Sequence, residues 1–236
     1  MKKTFFAILT KILFAQTLVI YSGFTMKYPV KELVRNFEKE HPDVKVVTLF
    51  GKSSSLYNKM LSQHKCDIFF TENDKLIKRD LKIFSDVVKT GKNKLVLMVK
   101  KGNPKKIKTL NDLRKPAISV IIGAENTYLG VKTAEMLKKY EKLYNSVNKK
   151  ALKGTEEEIA ASVVTDADCA IGWQGLAYWQ NNRDFIDIIP VKDGDVMQSD
   201  LIMGVTAFAP NKNMARRFLE FAKSPKGQLI MRKWGF

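Results

Sequence analysis

Four stretches of this chain place hydroxyl or small residues where helices begin: Gly23-Phe24-Thr25, Lys52-Ser53-Ser54-Ser55, Asn126-Thr127-Tyr128 and Gly154-Thr155. The first backbone N–H groups of a helix have no partner inside it and carry partial positive charge. Hydroxyl donors beside them therefore make half of an anion site. The same residue types are the favoured N-caps of any helix, and Thr155 with Glu158 is a capping box that serves its own helix. Glu156, Glu157 and Glu158 crowd that fourth mouth, offset its dipole and would repel an anion. They are expected to face solvent.

Other chemistry is sparse. His41 and His64 lie on charged segments with no cysteine or acid at ligand spacing, so no metal site is expected. There is no nucleophile elbow, no Gly-Lys-Ser/Thr phosphate loop, and no serine or cysteine paired with histidine at a recognisable spacing. Neither an enzyme nor a cofactor is expected. Cys66 and Cys169 sit far apart inside the apolar runs CDIFF and CAIGW and read as buried free thiols, with a disulfide left open. The basic pairs Lys100-Lys101 and Lys105-Lys106 flank a turn and read as solvated surface rather than a nucleic-acid stripe.

Strands and helices must hold the four mouths, and they alternate. Short apolar runs at Leu18–Tyr21, Val44–Phe50 and Cys66–Phe70 read as strands. Between them fall helical patterns from Pro29 to about His41 and over Ser54–Gln63. A run at Lys94–Val99 ends in the turn Lys101-Gly102-Asn103-Pro104, where a crossing between two lobes is expected, and a short helix follows at Thr109–Arg114. A second series gives strand Ala117–Ile122, helices Gly130–Tyr144 and Thr155–Val164, and strands Cys169–Trp173, Ile186–Val191 and Leu201–Ala209. Tyr178 and Trp179 are expected to pack within that second series. The tail from Asn213 carries an amphipathic helix and a shorter one restarting at Ser224-Pro225, expected to pack back on the first lobe. Alternation of this kind predicts an α/β fold with parallel strands, whose ligand mouths gather at the strands' carboxyl ends.

The chain has 236 residues, 45% hydrophobic and 28% charged, the balance of a folded globular protein with one or two cores. A formal charge of +17 would steer anions inward. Lys2 and Lys3 precede an apolar stretch, Phe5 to Ala15, which reads as an export signal over residues 1–15. Periplasmic location follows from that reading.

From Leu18 the stretch LVIYSGFTMKYPVKELVRNFEKEHPDVKVVTLFGKSSSLYNKMLSQHKCDIFFT resembles the opening of the periplasmic molybdate- and tungstate-binding proteins of ABC importers. The family pattern has a hydroxyl residue before the first helix, an F-x-x-S-S loop after the second strand and an A-D-[LIV]-F-[IL]-[ST] strand. Here Thr25, then Ser53 and Ser54, and then CDIFFT take those places. The similarity runs on through KKGNPKKIKTLNDL and Glu125-Asn126-Thr127-Tyr128-Leu129-Gly130 to the closing SPKGQLIMRKWGF.

The resemblance implies a type II periplasmic-binding-protein fold, two α/β lobes around a ligand cleft, with residues 16–97 plus 198–236 as lobe 1 and 98–197 as lobe 2. It implies a small oxyanion, molybdate or tungstate favoured, held by neutral hydrogen bonds, and an inner-membrane ABC permease as partner. Thr25, Ser53 and Ser54 would be donors from lobe 1. Tyr128 and Leu129 would contribute from lobe 2, chiefly by backbone N–H. Where the family often places a tyrosine, this sequence has Trp173-Gln174, whose side chains can also donate through N–H. A monomer without nucleic acid is expected. The alternatives are another anion such as sulfate or phosphate, ferric ion, or a sensory module of the same fold.

Overall fold

The computed structural model describes residues 16–192 and 197–236; the expected export signal lies outside the described residues. The chain opens with β1 (Gln16–Gly23), a 3-10 turn at Phe24–Met26, α1 (Lys27–Glu40), β2 (Val44–Gly51), α2 (Ser53–Gln63), β3 (Ile68–Thr71) and α3 (Asp74–Lys78). Then come the 17-residue β4 (Phe84–Lys100), a 3-10 segment at Leu110–Arg114, β5 (Val120–Gly123), α4 (Tyr128–Leu137), α5 (Glu141–Lys150) and β6 (Leu152–Gly154). The chain ends through α6 (Glu156–Thr165), β7 (Cys169–Trp173), α7 (Gln174–Ala177), β8 (Ile186–Ile189), β9 (Gln198–Thr206), α8 (Lys212–Lys223) and α9 (Pro225–Lys233).

The sheet order is β2-β1-β3-β9-β4-β7-β5-β6, with β8 also paired to β4. β1 runs parallel to β2 and β3, and β5 parallel to β6 and β7, as two βα series require. The two series meet on antiparallel strands. β4 pairs with β9 as far as Lys94 and with β7 from Leu95 onward. β4 thus changes partners within its own length, ahead of the turn 101–104 where the crossing is expected.

Burial follows this division. One apolar cluster draws on Leu95 to Val191, and two others draw on residues from Leu18 to Phe84 and from Leu201 to Met231. On α1, Val30, Leu33, Val34 and Phe37 are buried at helical spacing behind Pro29, which fits the first turn because it needs no N–H partner there. On α8, Met214, Ala215, Phe218, Leu219 and Ala222 form the matching stripe and pack with α1, and Phe37 meets Phe218 edge to face at 5.1 Å.

The helix expected over Gly130–Tyr144 is two helices. The break is in the backbone rather than in the apolar pattern: α4 ends at Leu137, Tyr140 is extended (φ -130, ψ 94), and α5 starts at Glu141. Trp179 also departs from expectation: besides its own cluster it meets Phe24 and Tyr28, both edge to face, at 5.3 and 5.4 Å. It thereby ties the start of α1 to the second series. Both cysteines are buried and free, in different clusters.

Candidate functional site

Four strand ends converge on one cavity of about 310 Å³. From the first series it is lined by Gly51, Lys52, Ser53 and Ser54 at the β2–α2 junction, and by Glu72, Asn73 and Lys75 after β3. From the second it is lined by Glu125, Asn126, Thr127, Tyr128 and Val131 around the start of α4, and by Glu156 at the start of α6. The N-termini of α2 and α4 both open on it. Leu56 N–H is the first in α2 to reach back into its own helix, on the Lys52 carbonyl at 3.0 Å, which leaves the Ser53, Ser54 and Ser55 N–H groups to the mouth. In α4 the cap is Thr127, whose hydroxyl accepts from Gly130 N–H at 2.9 Å and donates to the Ala124 carbonyl at 2.7 Å. The Tyr128 and Leu129 N–H groups precede that bond in the first turn of α4.

Of the residues singled out in the sequence, Ser53, Ser54 and Tyr128 line this cavity. Leu129 buries its side chain in the second core, leaving its N–H as the group it can offer. Thr25, Trp173 and Gln174 lie outside the lining. The Thr25 hydroxyl is fully buried and donates to Met26 Sδ at 3.0 Å, because the 3-10 turn Phe24–Met26 rolls it inward. Trp173 is fully buried beneath Tyr128, stacked at 6.0 Å, and Gln174 donates to the Gly235 carbonyl at 3.1 Å. Tyr128 also shares a 2.8 Å hydrogen bond with Ser199 on β9, so the second series is latched to the first beside the cavity.

Glu72 was not singled out. It follows CDIFFT at the carboxyl end of β3 and is 3% exposed. Its Oε1 lies 3.5 Å from Ser53 Oγ, which donates to it, while Oε2 is buried without a partner. Gly23, at the end of β1, makes room for it: a Cβ there would lie 2.4 Å from Glu72 Oε2 and 2.8 Å from Ser53 Oγ. The first loop thus shapes the site through the missing side chain of Gly23.

Burial, and then the charge of Glu156, push the Glu72 carboxyl up to about 8, against the pull of its hydrogen bonds. Glu156 is also raised, chiefly by burial, with Lys52 pulling it back. Glu156 thus turns into the cavity rather than to solvent. Glu158 closes the capping box instead, its Oε2 accepting from Thr155 N–H at 2.7 Å, so the fourth mouth caps itself as expected. Burial also raises the Tyr128 phenol. Among the described residues no three His, Cys, Asp or Glu side chains are grouped closely enough to hold a metal ion.

A family model described as bacterial extracellular solute-binding protein matches residues 18–236. The Bacillus subtilis (strain 168) protein YvgL, named as an ABC transporter substrate-binding lipoprotein, is 21% identical over 227 residues, 93% of this chain and 86% of its own. Molybdate-binding protein ModA of Mycobacterium tuberculosis (strain ATCC 25618 / H37Rv) is 24% identical over 112 residues, 46% of this chain and 42% of its own. Among solved structures, the sulfate-binding protein SubI from Mycobacterium tuberculosis H37Rv superposes with a TM-score of 0.79 at 17% identity, over 94% of this chain and 86% of that one.

Proposed function

We propose that this chain, which belongs to the bacterial extracellular solute-binding protein family, captures a small oxyanion in the cleft between its two lobes and delivers it to an inner-membrane ABC permease. The type II periplasmic-binding fold and the ABC-type solute-binding role come with the family. The ligand, its site and the periplasmic setting are our reading, with residues 16–97 plus 198–236 as lobe 1 and 98–197 as lobe 2.

One observation carries the reading: the N-termini of α2 and α4, each rich in uncharged donors, open on the same cavity. Ser54 offers its hydroxyl, Ser53 offers its own by turning it from the long 3.5 Å contact with Glu72 to the ligand, and the first turns of both helices offer N–H groups. Fixed donors replace the hydration of a tetrahedral anion without needing a countercharge. Molybdate or tungstate is favoured by the likeness to ModA, and sulfate stands beside them through SubI.

The experiment is a thermal-shift panel of molybdate, tungstate, sulfate and phosphate on the purified protein. A ligand that binds only the folded state raises the melting temperature, by about 2.7 kcal/mol of stabilisation at a hundredfold excess over Kd. A shift with molybdate or tungstate at micromolar concentrations supports the reading, and no shift with any of the four refutes it.

A further inference from the structure

We propose that the cleft takes its oxyanion together with one proton, held between the Glu72 carboxyl and a ligand oxygen, so that Glu72 decides which anions bind at a given pH. The inference deepens the oxyanion reading and rests on it.

Glu72 reaches the cavity with one carboxyl oxygen on Ser53 and the other buried and unpartnered in the space left by Gly23. A buried polar atom without a partner costs stability, so its position marks where a ligand's hydrogen bond is wanted. The groups around it are Lys52 and Ser53 from the β2–α2 junction, Asn73, Asp74 and Lys75 from the start of α3, Glu125 and Tyr128 from the start of α4, and Glu156 from α6. Neither Lys52 nor Lys75 forms an ion pair with Glu72 among the described residues. Within the cavity lining, the carboxylates of Glu72, Glu125 and Glu156 outnumber the two lysines.

An ionised Glu72 would set a carboxylate against a bound anion, with neither Lys52 nor Lys75 paired to it among the described residues. Two arrangements avoid this, and each contains one proton. In the first, Glu72 is neutral and its O–H donates to a fully deprotonated anion such as molybdate or sulfate. In the second, Glu72 is ionised and accepts an O–H that the anion brings, as hydrogen phosphate does. Burial and Glu156 keep Glu72 protonated up to about pH 8. Below that pH the first arrangement costs nothing extra. Above it, binding molybdate or sulfate must draw one proton from solvent, whereas phosphate still carries its own.

The test is titration calorimetry of the full chain with molybdate, sulfate and inorganic phosphate from pH 6.5 to 9.5, in buffers of different ionisation heat. Molybdate and sulfate should bind with constant affinity below about pH 8 and lose about tenfold per pH unit above it, with uptake of about one proton per anion. Phosphate should escape that loss. Glu72→Gln should flatten the profile for molybdate and sulfate, since its amide donates at every pH, and Glu156→Gln should move the break to lower pH. Wild-type binding that is flat across pH 8, or an equal loss for phosphate and sulfate, would overturn the proton but leave the oxyanion reading standing. Absence of binding by all three anions at every pH would overturn both. The wild-type profile needs no variant to fold.

Discussion

Glu72 also marks the protein's stability. Its raised carboxyl keeps a proton in the folded state that the unfolded chain releases near the ordinary glutamate value of about 4.3. Between there and about pH 8 the unfolded state binds fewer protons, so this residue's contribution is fully present below pH 4.3 and is lost as pH rises through about 8. Chemical denaturation of the ligand-free protein should show Glu72→Gln matching wild type near pH 4 and exceeding it by on the order of a few kcal/mol above pH 8. Equal stability of the two proteins at both ends would place the carboxylate in solvent. In the sequence, the place of Ser53 and Ser54 on the cavity was legible from the order of the loops and the family pattern, since a hydroxyl at a helix start is by itself an ordinary N-cap. Glu72 was not, because a glutamate after a strand looks like any surface acid; its signal was position, immediately past the carboxyl end of β3. The sequence displays the Thr25 hydroxyl, which the structure turns onto Met26 Sδ, while the bare Cα of Gly23 two residues earlier sits against Glu72 and Ser53.

At the scale of elements, α4 and α6 make a natural pair of controls. Both begin with a capping threonine, Thr127 and Thr155, yet only the first belongs to the proposed site. Thr127→Ala and Thr155→Ala should each cost about 1 kcal/mol of stability. Calorimetry should show oxyanion affinity falling about tenfold in Thr127→Ala, because the Tyr128 and Leu129 N–H groups lose their anchored orientation, and staying within about twofold in Thr155→Ala. The opposite ranking would move the site to α6. Most elements could be read from apolar runs and caps. β4 could not, because its first ten residues hold only Phe84, Val87 and Val88 as large apolar side chains, at no regular alternation, and contain two register irregularities. That polar half pairs with β9 rather than with any neighbour in sequence, so only the apolar end, Leu95 to Val99, announced itself.

For the whole molecule, the consequence is closure. The two series share the strand β4, the β9 pairing and the Tyr128–Ser199 latch, while the cavity takes donors from both. A ligand that touches both sides favours the closed arrangement by its differential contacts. Small-angle scattering should therefore give a smaller radius of gyration with saturating molybdate than without, and an unchanged radius would argue for a site confined to one lobe. The formal charge of +17 adds a kinetic signature. Association with a dianion should slow steeply between about 10 mM and 150 mM salt, as the screening length contracts from roughly 30 to 8 Å.

The most direct measurement is titration calorimetry of molybdate and tungstate at pH 7 into wild type and Ser53→Ala side by side. Loss of one charge-assisted donor should weaken binding by about 1–3 kcal/mol, roughly fivefold to 150-fold in Kd, with one anion bound per chain. An identical Kd in the two proteins would remove Ser53 and the α2 mouth from the site. No heat of binding in wild type would contradict the claim that this cleft receives an oxyanion.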